Sequence, residues 1–331
     1  MCGKRCVMLC ATAIVLLSFG AAAQAINIDM VTVGNPSNAA DDTGYGAVAY
    51  AYQIGKYEVT NGQYREFLNQ KAAVGDTYSL YNLGMANTYG GITRSGLGIT
   101  TDPWVYSAKG AGWDNRPVNF VSFWDAARFS NWMHNGQGAG DTESGAYLGI
   151  GDDVVFARQT GAKYFIPSEN EWYKAAFYDP EKQNGAGYWD FPTRSDTMPT
   201  FEAPPGTDLV NGSANASGVL GNTVEVGAYL AKPSTSAYGT YDQMGNVGEW
   251  NETLWESQWG SLRVNRAGGW SSLWLPGEVG TQRGGCFSYE ENIDMGFRIG
   301  TVPEPSTLVL LLVGVAGFLA YVWRRRRMAR G

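Results

Sequence analysis

The chain is poor in the residues that build metal and nucleophile sites. It has one histidine, His134, and four cysteines, of which Cys2, Cys6 and Cys10 fall at the extreme start. Past residue 25 the only thiol is Cys286, so no internal disulfide can form there. Zinc sites built from Cys and His fail on that count, as do iron sites that need several histidines. A Ser–His–Asp arrangement has only His134 to draw on, four residues after Ser130 at the end of a predicted helix. A histidine at that place caps carbonyls and complements the helix dipole. Basic charge is scarce as well. Setting aside the first 25 and last 30 residues leaves 17 basic and 30 acidic side chains in 26–301, a balance of about −13. Nucleic acid and anionic membrane are excluded as partners of that body. No proline-rich linker, charge block or internal repeat divides it, so it reads as one domain, large enough to bury a core without disulfides.

What is present begins at the two ends. Lys4 and Arg5, the apolar stretch Val7 to Gly20 and the small residues of Ala23-Gln24-Ala25 form an export signal over 1–25, with cleavage near Ile26. At the other end, 302–331 holds Pro303-Glu304-Pro305, an uncharged run from Ser306 to Trp323 and four consecutive arginines. The run is barely long enough to cross a bilayer, and the arginines would hold that end on the cytoplasmic side. In this order the parts resemble the PEP-CTERM sorting signal of certain Gram-negative bacteria. That resemblance implies an exosortase as partner, removal of the tail, and an extracellular or cell-surface destination.

Three helices are predicted in the body, each opened by a capping box: Thr60 with Gln63, Ser122 with Asp125, and Ser168 with Glu171. Their inward residues are Tyr64, Phe67 and Leu68, then Ala126, Phe129 and Met133, then Trp172, Ala175 and Ala176. The second helix can stop at Gly136, and the third ends before Pro180. The runs 52–59 and 154–159 read as short strands, and the rest is glycine- and aromatic-rich loop. The class is α+β, with few helices and small sheets.

Six segments in order, "YQIGKYEVTNGQYREFLN", "RPVNFVSFWDAARFSNWM", "YFIPSENEWYKAAFY", "GTYDQMGNVGEW", "RAGGW" and "GFRIG", resemble the formylglycine-generating enzyme (sulfatase-modifying factor) superfamily. The resemblance covers roughly 50–300 and implies the loop-rich variant of the C-type-lectin-like fold. It also implies a copper oxidase site made of two cysteines. Aligned here, the family's active-site serine falls on Gly269, the first copper cysteine on Ser272 and the second near Gly277. Arg283 matches a family arginine, and Cys286 lies three residues beyond it, away from both copper positions. A serine hydroxyl cannot replace a thiolate for Cu(I), so no copper is expected.

The resemblance further implies a structural Ca²⁺ held by Asp242, the carbonyls of Gly245 and Val247, and Glu249; the bland reading is a turn in which Glu249 accepts backbone N–H groups. A second family calcium site has a weak match at Asn215, with its partner aspartate falling near Gly218. A tryptophan usual in the family is replaced by Gly248, which leaves either a void or room for something else. The first functional reading is an exported binding or structural module for an extracellular glycan or protein, with Trp270, Ser271, Ser272, Trp274 and Arg283 around a ligand cleft. The second is an enzyme that modifies an exported protein or small thiol, using Cys286. The third is a purely structural surface protein.

Overall fold

The computed structural model describes residues 25–232, 234–273 and 283–302. The signal segment, the sorting tail, Trp274 and Gly277 lie outside the described residues. Among the described residues no helix is long and apolar enough to cross a membrane.

Two sheets and three helices carry the fold. Strands β1 (Met30–Val33) and β2 (Tyr52–Gly55) pair antiparallel near the start of the body. Helix α1 (Asn61–Lys71) follows, then a hairpin of β3 (Ile92–Ser95) and β4 (Val105–Ala108), and helix α2 (Phe123–His134). Helix α3 (Glu169–Phe177) precedes the long hairpin β5 (Gly248–Ser257) and β6 (Gly260–Arg266). Strands β7 (Arg283–Cys286), β8 (Met295–Gly296) and β9 (Gly300–Thr301) complete the set. The four-stranded sheet runs β7-β6-β5-β8, with only β5 and β8 parallel. In the other sheet β9 pairs with β2, so the two ends of the body are tied together. Two-residue ladders such as Tyr147–Leu148 with Ala157–Arg158 pin the intervening loops.

All three capping boxes form, with the side chains of Thr60, Ser122 and Ser168 accepting the N–H of Gln63, Asp125 and Glu171. Helix α2 ends at His134, and Gly136 takes φ +82°, the left-handed geometry of a helix stop. The apolar faces of α1 and α2 meet in one aromatic core, while Trp172, Tyr173, Ala176 and Phe177 of α3 pack in a separate cluster. Phe67 of α1 lies 5.5 Å from Phe129 and 5.2 Å from Trp132 of α2, ring centre to ring centre. Phe297, between β8 and β9, closes the cluster against Phe129 at 5.4 Å.

The predicted strands are shorter than the sequence runs. The first stops at Gly55, because the chain there turns to bring Glu58 inside and Thr60 to the start of α1. In the second only Ala157 and Arg158 are strand. Asp152 captures the N–H of Val154 with its side chain and that of Phe156 with its carbonyl, and this turn exposes Val154 and Val155.

Candidate functional site

The segment 241–250 is a tight, buried turn feeding β5. Asp242 (φ +60°), Gly245 (φ +81°) and Asn246 (φ +59°) are all left-handed, which curls the backbone back on itself. The turn is tied on several sides. The amides of Gly245 and Asn246 donate to the carbonyls of Ala267 and Asn215, and Gly248 N–H donates to Asp294 O at 2.6 Å. Trp250 is fully buried and donates its indole N–H to Val121 O at 3.0 Å.

Glu249 does not accept backbone N–H groups. Its carboxylate is spanned by Arg298, Nε to Oε2 at 2.5 Å and Nη2 to Oε1 at 2.6 Å, and Trp172 Nε1 donates to Oε2 at 2.6 Å. Both ions are wholly buried, and Arg298 also donates to the carbonyls of Gly55 and Tyr241. This pair bolts β5 to the chain ends, and geometry of this completeness is what a buried ion pair requires. Asp242 accepts Gly227 N–H at 2.6 Å, and burial pushes its carboxyl up to about 6. Beside them Glu58 is buried; its Oε1 accepts from Asn246 Nδ2 at 3.2 Å, while its Oε2 has no partner. Burial, with Asp242 adding to it, pushes the Glu58 carboxyl well up. Among the described residues no group of three or more His, Cys, Asp or Glu is placed to hold a metal, so a cation here would draw on the carbonyls of Gly245 and Val247. At Asn215, Oδ1 is buried without a partner and Nδ2 donates to Asn222 O.

The position that the resemblance aligns with the family's active-site serine is closed. A Cβ at residue 269 would lie 2.4 Å from Asp294 Cβ, so the family's serine has no room where Gly269 stands. Ser272 Oγ accepts the N–H of Gly269 at 3.0 Å, and Ser271 Oγ donates to Asp294. Both are hard hydroxyl oxygens already engaged in hydrogen bonds, a donor type that does not suit Cu(I). Cys286 is half-buried, 3.5 Å from Asn265 Nδ2, and burial pushes its thiol up to about 11, so it carries little thiolate at neutral pH. His134 accepts Lys163 N–H at Nδ1, and burial lowers its pKa. It is therefore a neutral acceptor rather than the dipole-complementing cation expected, and Ser130 donates to Ala126 O instead of to it.

Among the described cleft residues, Ser271 is exposed and Ser272 half-buried, while Trp270 turns inward. Trp270 is 6% exposed and stacked 5.5 Å from Tyr89, which corrects its expected place on a ligand-facing floor. Arg283 is engaged with Glu169 at 2.7 Å and lies 4.6 Å from the centre of the Trp255 ring. Three exposed aromatics lie instead on the β5–β6 hairpin and just past the end of β7. Trp255, Trp259 and Tyr289 are 40%, 74% and 69% exposed, and the Tyr289 ring runs parallel to Phe287 within 4° at 5.5 Å. Gly285 makes this arrangement possible: a Cβ there would meet Trp255 Cε3 at 2.7 Å, so only glycine lets the indole lie across the strand. The sequence reading missed Glu58, which stands between Tyr57 and Val59 in a mixed stretch, and the role of Arg298.

This loop-rich α+β body, its ends tied by β2 and β9 and its turn bolted by Arg298, is that of a formylglycine-generating-enzyme-type domain. The chain belongs to the FGE-sulfatase family, the sulfatase-modifying factor enzyme 1-like domain, whose profile matches residues 30–301. A PEP-CTERM protein-sorting motif matches 301–327, which makes this an exported protein recognised by an exosortase. No curated protein matches the chain. Among solved structures, that of CarF is 18% identical with TM-score 0.51, covering 84% of this chain and 99% of that one. Treponema denticola variable protein 1 is 17% identical with TM-score 0.51, covering 85% and 98%. PvdO from Pseudomonas aeruginosa is 17% identical with TM-score 0.44, covering 83% and 92%. These likenesses concern the fold alone.

Proposed function

We propose that the chain is an extracellular or surface-attached binding module for a neutral polysaccharide, with no formylglycine-forming chemistry. The observation that carries this is the exposed aromatic group at one end of the four-stranded sheet: Trp255, Trp259 and Tyr289. Flat rings that are open to solvent and fixed by a hairpin suit the apolar faces of pyranose rings. The absent second thiol and the raised pKa of Cys286 support a binding role over a thiol-based enzyme. We also propose a structural Ca²⁺ on Asp242, Glu249 and the carbonyls of Gly245 and Val247. Its support is the left-handed turn and a second buried carboxylate beside a single guanidinium.

Co-sedimentation with exopolysaccharide purified from the producing cells tests the binding role. The wild type is expected to sediment with the polymer, and Trp259→Ala/Tyr289→Ala to lose at least about tenfold in affinity, the scale of one or two stacked rings. Equal retention of both proteins, or none of the wild type, overturns the proposal.

A further inference from the structure

The small residues Ala23 and Ala25 suit a signal peptidase, and the chain is fixed to the body directly after them. Ala25 is exposed, whereas Ile26 is half-buried and packs against the main aromatic core. The next three residues are each held in turn. Gln63 Nε2 of α1 donates to Asn27 O at 2.9 Å, Ile28 is buried in the core, and Asp29 O accepts the N–H of Lys56 at 2.7 Å.

Ile26 itself is held by the loop that follows α2. Gln137 Oε1 accepts the Ile26 N–H at 2.8 Å, and Gln137 Nε2 donates to Ile26 O at 2.9 Å. One carboxamide thus satisfies both backbone groups of a residue 111 positions away. The loop is itself braced from both helices. Gln137 N–H donates to Trp132 O at 2.9 Å, Gly138 N–H to Gln70 Oε1 at 2.6 Å, and Lys71 Nζ to the carbonyls of Ala139 and Gly140. Gly136, Gln137 and Gly138 are consecutive left-handed residues, at φ +82°, +66° and +62°. Glycine adopts that region freely, but glutamine does so only with strain. A position that the backbone would give to glycine carries instead the side chain that reaches Ile26.

We propose that hydrolysis of the Ala25–Ile26 bond makes Ile26 the first residue of the exported protein, and that Gln137 is the receptor for this new amino terminus. The reaction consumes one water and leaves a carboxylate on Ala25 and an α-ammonium on Ile26. The nitrogen that donated one proton as an amide then has three, one for Gln137 Oε1 and two for solvent. A charged donor makes a hydrogen bond about twice as strong as a neutral one, so processing tightens the latch it creates. The seated end ties the start of the body to the far end of α2.

Mass spectrometry and thermal melting of the exported protein test this. Its first residue is expected to be Ile26, and any other start overturns the proposal. Gln137→Gly is the decisive variant, because relief of strain and loss of the latch act in opposite directions. If Gln137 is only a loop residue, glycine leaves the melting temperature unchanged or raises it. If it holds the amino terminus, the melting temperature falls by at least about 2 °C, the scale of one hydrogen bond. Leucine aminopeptidase should then release Ile26 at least about tenfold faster than from the wild type. A variant whose body begins at Asp29 should melt at least as low as Gln137→Gly, and adding Gln137→Gly to it should lower it no further. A melting temperature that does not fall, unchanged aminopeptidase release, or an undiminished effect of Gln137→Gly in the shortened body each overturns the proposal.

Discussion

At the scale of single residues, the buried carboxylates govern how this protein responds to pH. Asp125 closes the capping box of α2 by accepting from Ser122 N–H at 2.9 Å and Ser122 Oγ at 2.7 Å, yet it is buried beside Glu291. Burial, reinforced by Glu291, pushes its carboxyl up to about 7 from the usual 3.8. The folded state therefore binds this proton more tightly than the unfolded chain. The contribution is fully present below the unfolded pKa and is lost as pH rises through the folded one, so Asp125 weakens the fold progressively from about pH 4 to about pH 7. Asn keeps an acceptor for Ser122 N–H and has no charge to bury. Urea unfolding across pH 5 to 8 should show a shallower decline for Asp125→Asn than for the wild type. Parallel curves would mean that Asp125 stays ionised in the folded protein.

At the scale of elements, the start of β5 shows both what was legible and what was not. Sequence alone left open whether losing the family's tryptophan at Gly248 makes a void. In the structure Gly248 pairs with Met295 across the parallel β5–β8 contact, and a Cβ at 248 would lie 2.8 Å from Met295 Sδ. The thioether fills the space. Gly248→Ala should therefore destabilise by about 1–3 kcal/mol through overpacking. Met295→Ala vacates that space, so the double variant should be less damaged than the sum of the two, as urea midpoints would show. The helices were legible because capping boxes and apolar spacing are local signals, and Thr60, Ser122 and Ser168 each cap as read. The strands and the site were not, because their determinants are distant in sequence. Glu249 meets Arg298 across 49 residues, and Trp172 reaches it across 77. The loss of room at Gly269 depends on Asp294, which no motif spacing places beside it.

At the scale of the whole molecule, the buried turn joins regions that are otherwise held apart. Through Asp242, Asn246, Glu249 and Arg298 it touches Gly227, Glu58, Trp172 and the carbonyl of Gly55, drawing on both sheets, α3 and a loop. A cation held there would act on global unfolding rather than on one loop. If Ca²⁺ binds only the folded body, a hundredfold excess over its Kd stabilises by about 2.7 kcal/mol. In a body of this size that raises the melting temperature by several degrees, at about 2–4 °C per kcal/mol. Scanning calorimetry with Ca²⁺ and then with chelator should show that rise, and Asp242→Ala should abolish it. The alternative has a distinct signature, because Arg298 already spans both oxygens of Glu249. If that guanidinium alone satisfies the turn, the melting temperature is the same with and without chelator. Arg298→Met would then still cost about 3–5 kcal/mol, the penalty for leaving Glu249 charged and unpaired in the core.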